Sequence, residues 1–436
     1  MDIKLLKSTN LNGQVIIPGD KSISHRSIIL SAIAEGISEI SGYLKGEDCL
    51  ATLNAFKQMG IKIEEHDQKI KVYGNGLHGL RKPSGDLNLG NSGTSMRLLA
   101  GLLSGQKFSS NLIGDDSLSS RPMGRIIEPL KKMGASIYAK EKSAPIAIDV
   151  SEGLEGISYE LPVASAQVKS CIMLAALYAK TETRIIENHQ TRNHTEKMFE
   201  KFGIEIKEEI EDEKKIIKIF PSQEFYSTNI DIPGDFSSAS FLIVAALIIP
   251  NSEITLKNIG INSSRTALLK VLVEMGADIK INNVKENIER TADILIKTSS
   301  LNAIVLDEKL IPNLIDELPI LFIASAFAKG KTIIRGAGEL RTKESDRLEA
   351  MSNALGNLGV KFQSYRDGID IVGNGIFENS VTIDSFGDHR IAMASSIACT
   401  MLDGKNRVKN VDNIQTSFPN FIETCNSLGI KAELLK

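Results

Sequence analysis

Pro18-Gly19-Asp20-Lys21-Ser22-Ile23-Ser24-His25-Arg26 leads into the apolar run Ile28-Ile29-Leu30-Ser31-Ala32-Ile33-Ala34. The pattern returns at Pro233-Gly234-Asp235-Phe236-Ser237-Ser238-Ala239-Ser240, ahead of Phe241-Leu242-Ile243-Val244-Ala245-Ala246-Leu247. Each stretch reads as a glycine-permitted turn followed by a helix apolar on every side, which has to be buried. Ser22 or Ser24 is expected to cap the first of these helices. Lys21 and Arg26 add cations to the positive end of a helix dipole, where free backbone N–H groups favour a bound phosphate or carboxylate. The spacing is not that of a nucleotide P-loop, which needs Gly-x-x-x-x-Gly-Lys. The echo implies a duplicated chain.

A second signature extends the repetition. An apolar residue plus Gly, followed by a β-like segment, occurs at Met59-Gly60-Ile61, Met133-Gly134-Ala135, Phe202-Gly203-Ile204, Met275-Gly276-Ala277, Leu358-Gly359-Val360 and Leu428-Gly429-Ile430. These glycines lie roughly 70–80 residues apart, and each suits the left-handed position just after an amphipathic helix. Strongly apolar helices open near Asp20, Asn91, Ser165, Asp235, Asp316 and Asp388. The expected unit is therefore strand, buried helix, strand, amphipathic helix, strand, strand. Six such units make an α/β chain of two lobes, three units in each, with buried helices inside and sheets outside. The boundaries fall at 17–235 for one lobe and 1–16 plus 236–436 for the other, and the N-terminal strand joins the second. If the helix openings face one cleft, their dipoles sum to a positive field, and the site lies between the lobes.

The 436 residues exceed what one core organises, and the net charge of −3 argues against a general nucleic-acid binder. Cys49, Cys171, Cys399 and Cys425 are far apart and read as reduced core thiols, and neither Cys-x-x-Cys nor His-Glu-x-x-His is present. No metal is expected. With no signal pattern and no apolar run of spanning length, the expectation is a cytoplasmic protein without membrane partners.

The openings carry the chemistry. Gly90-Asn91-Ser92-Gly93-Thr94-Ser95-Met96-Arg97 offers close backbone approach at Gly93 and a cation at Arg97. Arg121 precedes Pro122, which suits the first position of an amphipathic helix. Ser165-Ala166-Gln167 supplies a hydroxyl and an amide for a polyhydroxylated ring or a phosphate, and Arg192 adds a cation at the next amphipathic helix. Asp316 stands at another opening, and Arg341-Thr342-Lys343-Glu344-Ser345-Asp346-Arg347 alternates charges. A carboxylate beside a bound anion repels it unless it moves protons, so Asp316 and Glu344 are candidates for acid and base work. Asp388-His389-Arg390 starts the last buried helix, where Arg390 can fork onto an anion and His389 has a supporting place. So many cations in a chain of negative net charge point to polyanionic small molecules.

In these motifs, over nearly its whole length, the chain resembles the 5-enolpyruvylshikimate-3-phosphate synthase family, and its second branch in particular. The resemblance implies a two-lobed enolpyruvyl transferase fold that closes on its substrates. It also implies transfer of the enolpyruvyl group of phosphoenolpyruvate to the 5-hydroxyl of shikimate 3-phosphate, through a tetrahedral intermediate and with release of phosphate. Neither metal nor organic cofactor is implied, and the family tends toward monomers. Carried over by position, Lys21, Ser22, Arg26, Ser165, Ala166, Gln167, Arg192, Asp316 and Lys343 would hold shikimate 3-phosphate. Lys21, Gly93, Arg121, Gln167, Arg347 and Arg390 would hold phosphoenolpyruvate. Asp316 is the implied base for the 5-hydroxyl, while Glu344 and Lys21 handle the proton at the methylene carbon.

Two departures stand out. Thr416-Ser417 precede Phe418-Pro419 where some relatives carry a phosphoenolpyruvate-binding Lys, and Ser92, Ser95 and Leu98 replace the Ala, Ala and Pro of a common branch. The enzymatic alternative is the related UDP-N-acetylglucosamine enolpyruvyl transferase, which usually has a Cys before its Arg-Pro; the segment from Ile113 to Ser120 has none. A silent anion-binding scaffold is the alternative from another class.

Overall fold

A computed structural model describes residues 1–66, 69–221, 223–287, 289–373 and 377–435. The chain divides into two compact units. One is contiguous, Gly19–Ile232; the other is composite, Met1–Pro18 with Pro233–Lys436. Each has its own hydrophobic core.

The contiguous unit contains three four-stranded sheets. In its second repeat, Leu87–Asn88 runs parallel to Ser110–Ile113, which pairs antiparallel with Ile146–Asp149, and Ser136–Ala139 closes the edge. The third repeat copies this order with Ser158–Glu160, Thr183–Glu187, Lys214–Ile219 and Ile206–Glu211. The buried helices Lys21–Ile33, Gly93–Leu103 and Ala166–Ala176 pack within the unit. Their apolar composition leaves no face for solvent: Ile28, Ile29, Leu98, Leu99, Cys171 and Ile172 are all fully buried. Amphipathic helices face outward, as in Gly124–Lys132, which buries Ile126, Ile127 and Leu130 and exposes Arg125 and Glu128.

The composite unit repeats the plan with buried helices Phe236–Ile248, Leu318–Phe327 and His389–Cys399. The strands that precede the two Pro-Gly-Asp turns are exchanged. Asn12–Ile16 pairs in parallel with Glu253–Gly260 of the composite unit, while Ile230–Asp231 pairs in parallel with Glu35–Ser41 of the contiguous one. Asp2–Leu6 forms an inner strand of the last sheet, between Asn406–Lys409 and Lys431–Leu435. The fifth repeat departs from the expected unit: its sheet has three strands, and its first strand is reduced to bridges of Asn302 with Lys329 and Val305 with Ile333.

All six tag glycines lie at positive φ, between 76° at Gly203 and Gly359 and 105° at Gly429, as their place after a helix demands. Gly19 is required by close approach, since a Cβ there would fall 1.8 Å from the carbonyl oxygen of Gly42. The caps correct two expectations. Asp20, not Ser22 or Ser24, caps the first helix by accepting from Ile23 N at 2.9 Å, and Ser24 Oγ instead accepts from Leu44 N at 3.1 Å. An Asp carboxylate already at the turn satisfies the free N–H more strongly than a serine within the helix. Pro122 lies before the N-cap Met123 rather than inside the helix, and a short helix, Asp116–Ser119, precedes it.

Candidate active site

In the contiguous unit the cations sit at helix openings with polar partners beside them. Lys21, at the first turn of its helix, is ion-paired with Asp48, which begins the next helix from Gly46. Arg26 is buried in the same helix. Its Nε donates to Thr195 Oγ1 at 2.7 Å, one Nη to Ser170 Oγ at 2.7 Å and the other to Ser22 O at 2.9 Å. Three elements thus fix one guanidinium.

The second opening gathers two more. Ser92 caps the helix, accepting from Ser95 N at 3.1 Å. Arg97 donates to Gln167 Oε1 at 2.7 Å, and Gln167 Nε2 donates to Thr94 Oγ1 at 2.9 Å. Buried Arg121 donates to Asn91 Oδ1 at 2.5 Å. A Cβ at Gly93 would lie 2.7 Å from Nη1 of Arg97 and 3.3 Å from Nη1 of Arg121, so a side chain here would crowd both guanidinium groups. Ser165 caps the third opening at 3.4 Å from Val168 N, and Ala166 starts that helix. Arg192, half-buried, precedes the N-cap Asn193 of His194–Lys201.

The composite unit brings together the predicted carboxylates. Arg347, 1% exposed, is surrounded by Glu344 Oε2 at 2.5 Å, Asp388 Oδ2 at 2.8 Å and Asp316 Oδ1 at 3.5 Å. Burial opposes its charge, yet these three carboxylates, Asp388 foremost, raise its pKa above the usual arginine value. Burial would raise the pKa of Asp388, but the adjoining Arg347 guanidinium holds it below the usual carboxylate value. Arg390 approaches Asp316 from the other side, with Nη2 3.5 Å from Oδ2 and Nη1 donating to its backbone oxygen at 2.9 Å. Burial lowers the pKa of the Lys343 ammonium, and the nearby Asp316 carboxylate offsets this only in part. Arg347 opens the helix Arg347–Asn357 under the Asp346 cap. His389 is buried at the first position of its own helix.

The chain belongs to the EPSP synthase family. That family, 3-phosphoshikimate 1-carboxyvinyltransferase, matches residues 5–425. The 3-phosphoshikimate 1-carboxyvinyltransferase of Ruthia magnifica subsp. Calyptogena magnifica is 47% identical over 433 residues, covering 99% of each chain. That of Legionella pneumophila strain Corby is 48% identical over 425 residues, covering 97% of each. Among solved structures, EPSP synthase from Acinetobacter baumannii superposes with a TM-score of 0.88 at 43% identity, covering 100% of both chains. The fold is thus that of EPSP synthase.

Against this family background several site neighbours were invisible in the sequence. Asp48, Ser170 and Thr195 partner Lys21 and Arg26, but Thr195 is 169 residues from Arg26 and no motif links them. In the composite unit, buried Glu317 accepts from Ser237 Oγ, and Arg265 donates to Ser237 Oγ at 2.6 Å and to Asp235 at 3.2 Å. The second Pro-Gly-Asp motif was the only signal for that cluster. The thiols are buried and unbridged, and burial pushes Cys399 up to about 12. Among the described residues, no three or more His, Cys, Asp or Glu side chains are grouped to hold a metal ion, and no single helix is long and apolar enough to cross a membrane.

Proposed function

We infer that this chain transfers the enolpyruvyl group of phosphoenolpyruvate to the 5-hydroxyl of shikimate 3-phosphate and releases inorganic phosphate, as a transferase of the shikimate pathway to chorismate and the aromatic amino acids. The observation that carries the reading is the grouping of Asp316, Glu344, Arg347 and Arg390: two carboxylates able to exchange protons, set among guanidinium groups that attract an anion.

In this reading both units serve one reaction. Shikimate 3-phosphate is held by Lys21, Ser22, Arg26, Ser165, Ala166, Gln167, Arg192, Asp316 and Lys343. Phosphoenolpyruvate is held by Lys21, Gly93, Arg121, Gln167, Arg347 and Arg390. The contacts of Arg347 and Arg121 with protein oxygens pre-set their forks, and a substrate carboxylate or phosphate adds to or replaces them. Asp316 takes the 5-hydroxyl proton as that oxygen bonds to C2 of phosphoenolpyruvate. Glu344, with Lys21, delivers a proton to C3. The resulting tetrahedral adduct then loses a C3 proton to the same groups as the C2–O bond to phosphate breaks. The C3 proton goes back to the groups that supplied it and the 5-hydroxyl proton passes from Asp316 to the departing phosphate, so the balance needs no oxidant or reductant.

The reading also takes the chain as a cytoplasmic monomer without nucleic-acid or membrane partners; the net charge of −3 bears on the nucleic acid alone, which calls for a basic face. Size-exclusion chromatography with light scattering checks the monomer. The reaction is tested by phosphate release from phosphoenolpyruvate, with shikimate 3-phosphate and UDP-N-acetylglucosamine as parallel acceptors. Release with shikimate 3-phosphate alone is expected; release only with the nucleotide sugar, or with neither, overturns the assignment.

A further inference from the structure

The third repeat buries a charge cluster that no proposed substrate contact uses. Lys169 is fully buried in the helix Ala166–Ala176, its ammonium 3.1 Å from Glu187 Oε1 and 2.6 Å from Glu196 Oε1. Glu187 and Glu196 are buried as well. Lys215 stands 3.9 Å from Glu196 and pairs with Glu208 at 2.8 Å. Charges removed from water are expensive, and an apolar cluster of equal volume often stabilises a fold at least as well. In some proteins such a cluster instead fixes one arrangement of the elements that carry it.

Here the elements it joins are those that hold the anion-binding cations. Glu187 ends the strand Thr183–Glu187, and its Oε1 accepts from Thr191 N at 3.2 Å and Thr191 Oγ1 at 2.6 Å, which closes the turn immediately ahead of Arg192. Glu196 follows Thr195, and Lys169 precedes Ser170. Those two hydroxyls accept from Arg26 and lie 2.6 Å from each other. One ammonium therefore ties together the acceptors of Arg26 and the loop of Arg192.

We propose that the buried cluster of Lys169, Glu187 and Glu196 is a positioning device for shikimate 3-phosphate, setting Arg192 through Thr191 and Arg26 through Ser170 and Thr195. The proposal rests on the assignment of Arg26 and Arg192 to that substrate. Thr191 is its most selective probe, because Thr191→Val removes the hydroxyl bond to Glu187, keeps the side-chain shape and leaves every charge in place.

Thr191→Val is expected to raise KM for shikimate 3-phosphate about tenfold while kcat and KM for phosphoenolpyruvate stay within about twofold of wild type. Thr191→Ser, which returns the hydroxyl, is expected to bring KM back. Thermal unfolding of each variant shows whether the fold is kept. A Thr191→Val enzyme with unchanged KM for shikimate 3-phosphate, or with both KM values raised alike, overturns the positioning role. Arg192→Gln separates the two layers. If it raises KM for shikimate 3-phosphate while Thr191→Val does not, only the positioning role falls. If Arg192→Gln itself leaves that KM unchanged, the substrate assignment falls and the proposal with it.

Discussion

Asp316, the base of the proposed reaction, lies between two guanidinium groups, 3.5 Å from each. Replacing it by Asn keeps the shape and removes the proton acceptor. Asp316→Asn is expected to lower kcat by about 10²–10⁴-fold with a far smaller change in KM for phosphoenolpyruvate, read from initial rates. A normal kcat contradicts its role. His25 gives a prediction of another kind. It is fully buried, with Nδ1 2.7 Å from Thr52 Oγ1, and burial, then Lys21 and Arg26, hold its pKa well below the ordinary 6.5. Below pH 6.5 the unfolded chain binds a proton that folded His25 refuses, so stability falls with pH by up to about 1.4 kcal/mol per unit. Urea midpoints are expected to drop further between pH 7 and 5 in wild type than in His25→Gln, and equal drops contradict it. At this scale the cations and carboxylates were legible because they lie at or close to helix openings marked by Gly, Ser or Asp. Their buried partners were not. Asp48, Thr195 and Glu317 meet them only through tertiary packing, which leaves no local signature.

At the scale of elements, the left-handed glycines and the uniformly apolar runs announced where helices end and which are buried, since both follow from local sterics and side-chain character. Strand partners did not follow. The N-terminal strand was expected to join the second lobe, but neither the pairing of Asn12–Ile16 with Glu253–Gly260 nor that of Ile230–Asp231 with Glu35–Ser41 could be read from the turns they precede. Two glycines separate backbone strain from packing. Gly203 has φ +76° and nothing within 4 Å of an added Cβ, whereas a Cβ at Gly101 would lie 2.1 Å from the Cys171 carbonyl oxygen on the neighbouring buried helix. Gly203→Ala is expected to cost about 1–2 kcal/mol from the left-handed backbone alone. Gly101→Ala has to force two buried helices apart, and it is expected to lower the thermal midpoint further despite the better helix propensity of alanine. The reverse order contradicts the close packing of those helices.

For the whole molecule, the exchange of strands has an unequal consequence. Residues 19–232 contain every strand of their three sheets, whereas residues 233–436 lack Asp2–Leu6, an inner strand, and Asn12–Ile16. The fragment 19–232 is expected to unfold cooperatively on its own, and 233–436 to do so only when residues 1–18 are joined to it, as followed by circular dichroism against temperature. Cooperative folding of 233–436 alone contradicts the part given to the N-terminal strands. In the proposed reaction a proton is placed on C3 of phosphoenolpyruvate and removed again as phosphate leaves. Mass spectrometry of the product formed from phosphoenolpyruvate and shikimate 3-phosphate in D₂O tests it most directly. An enolpyruvyl product carrying deuterium in its methylene group is predicted for the wild type, with product formation sharply reduced in Glu344→Gln. A product free of deuterium, or no transfer of the group at all, would contradict it.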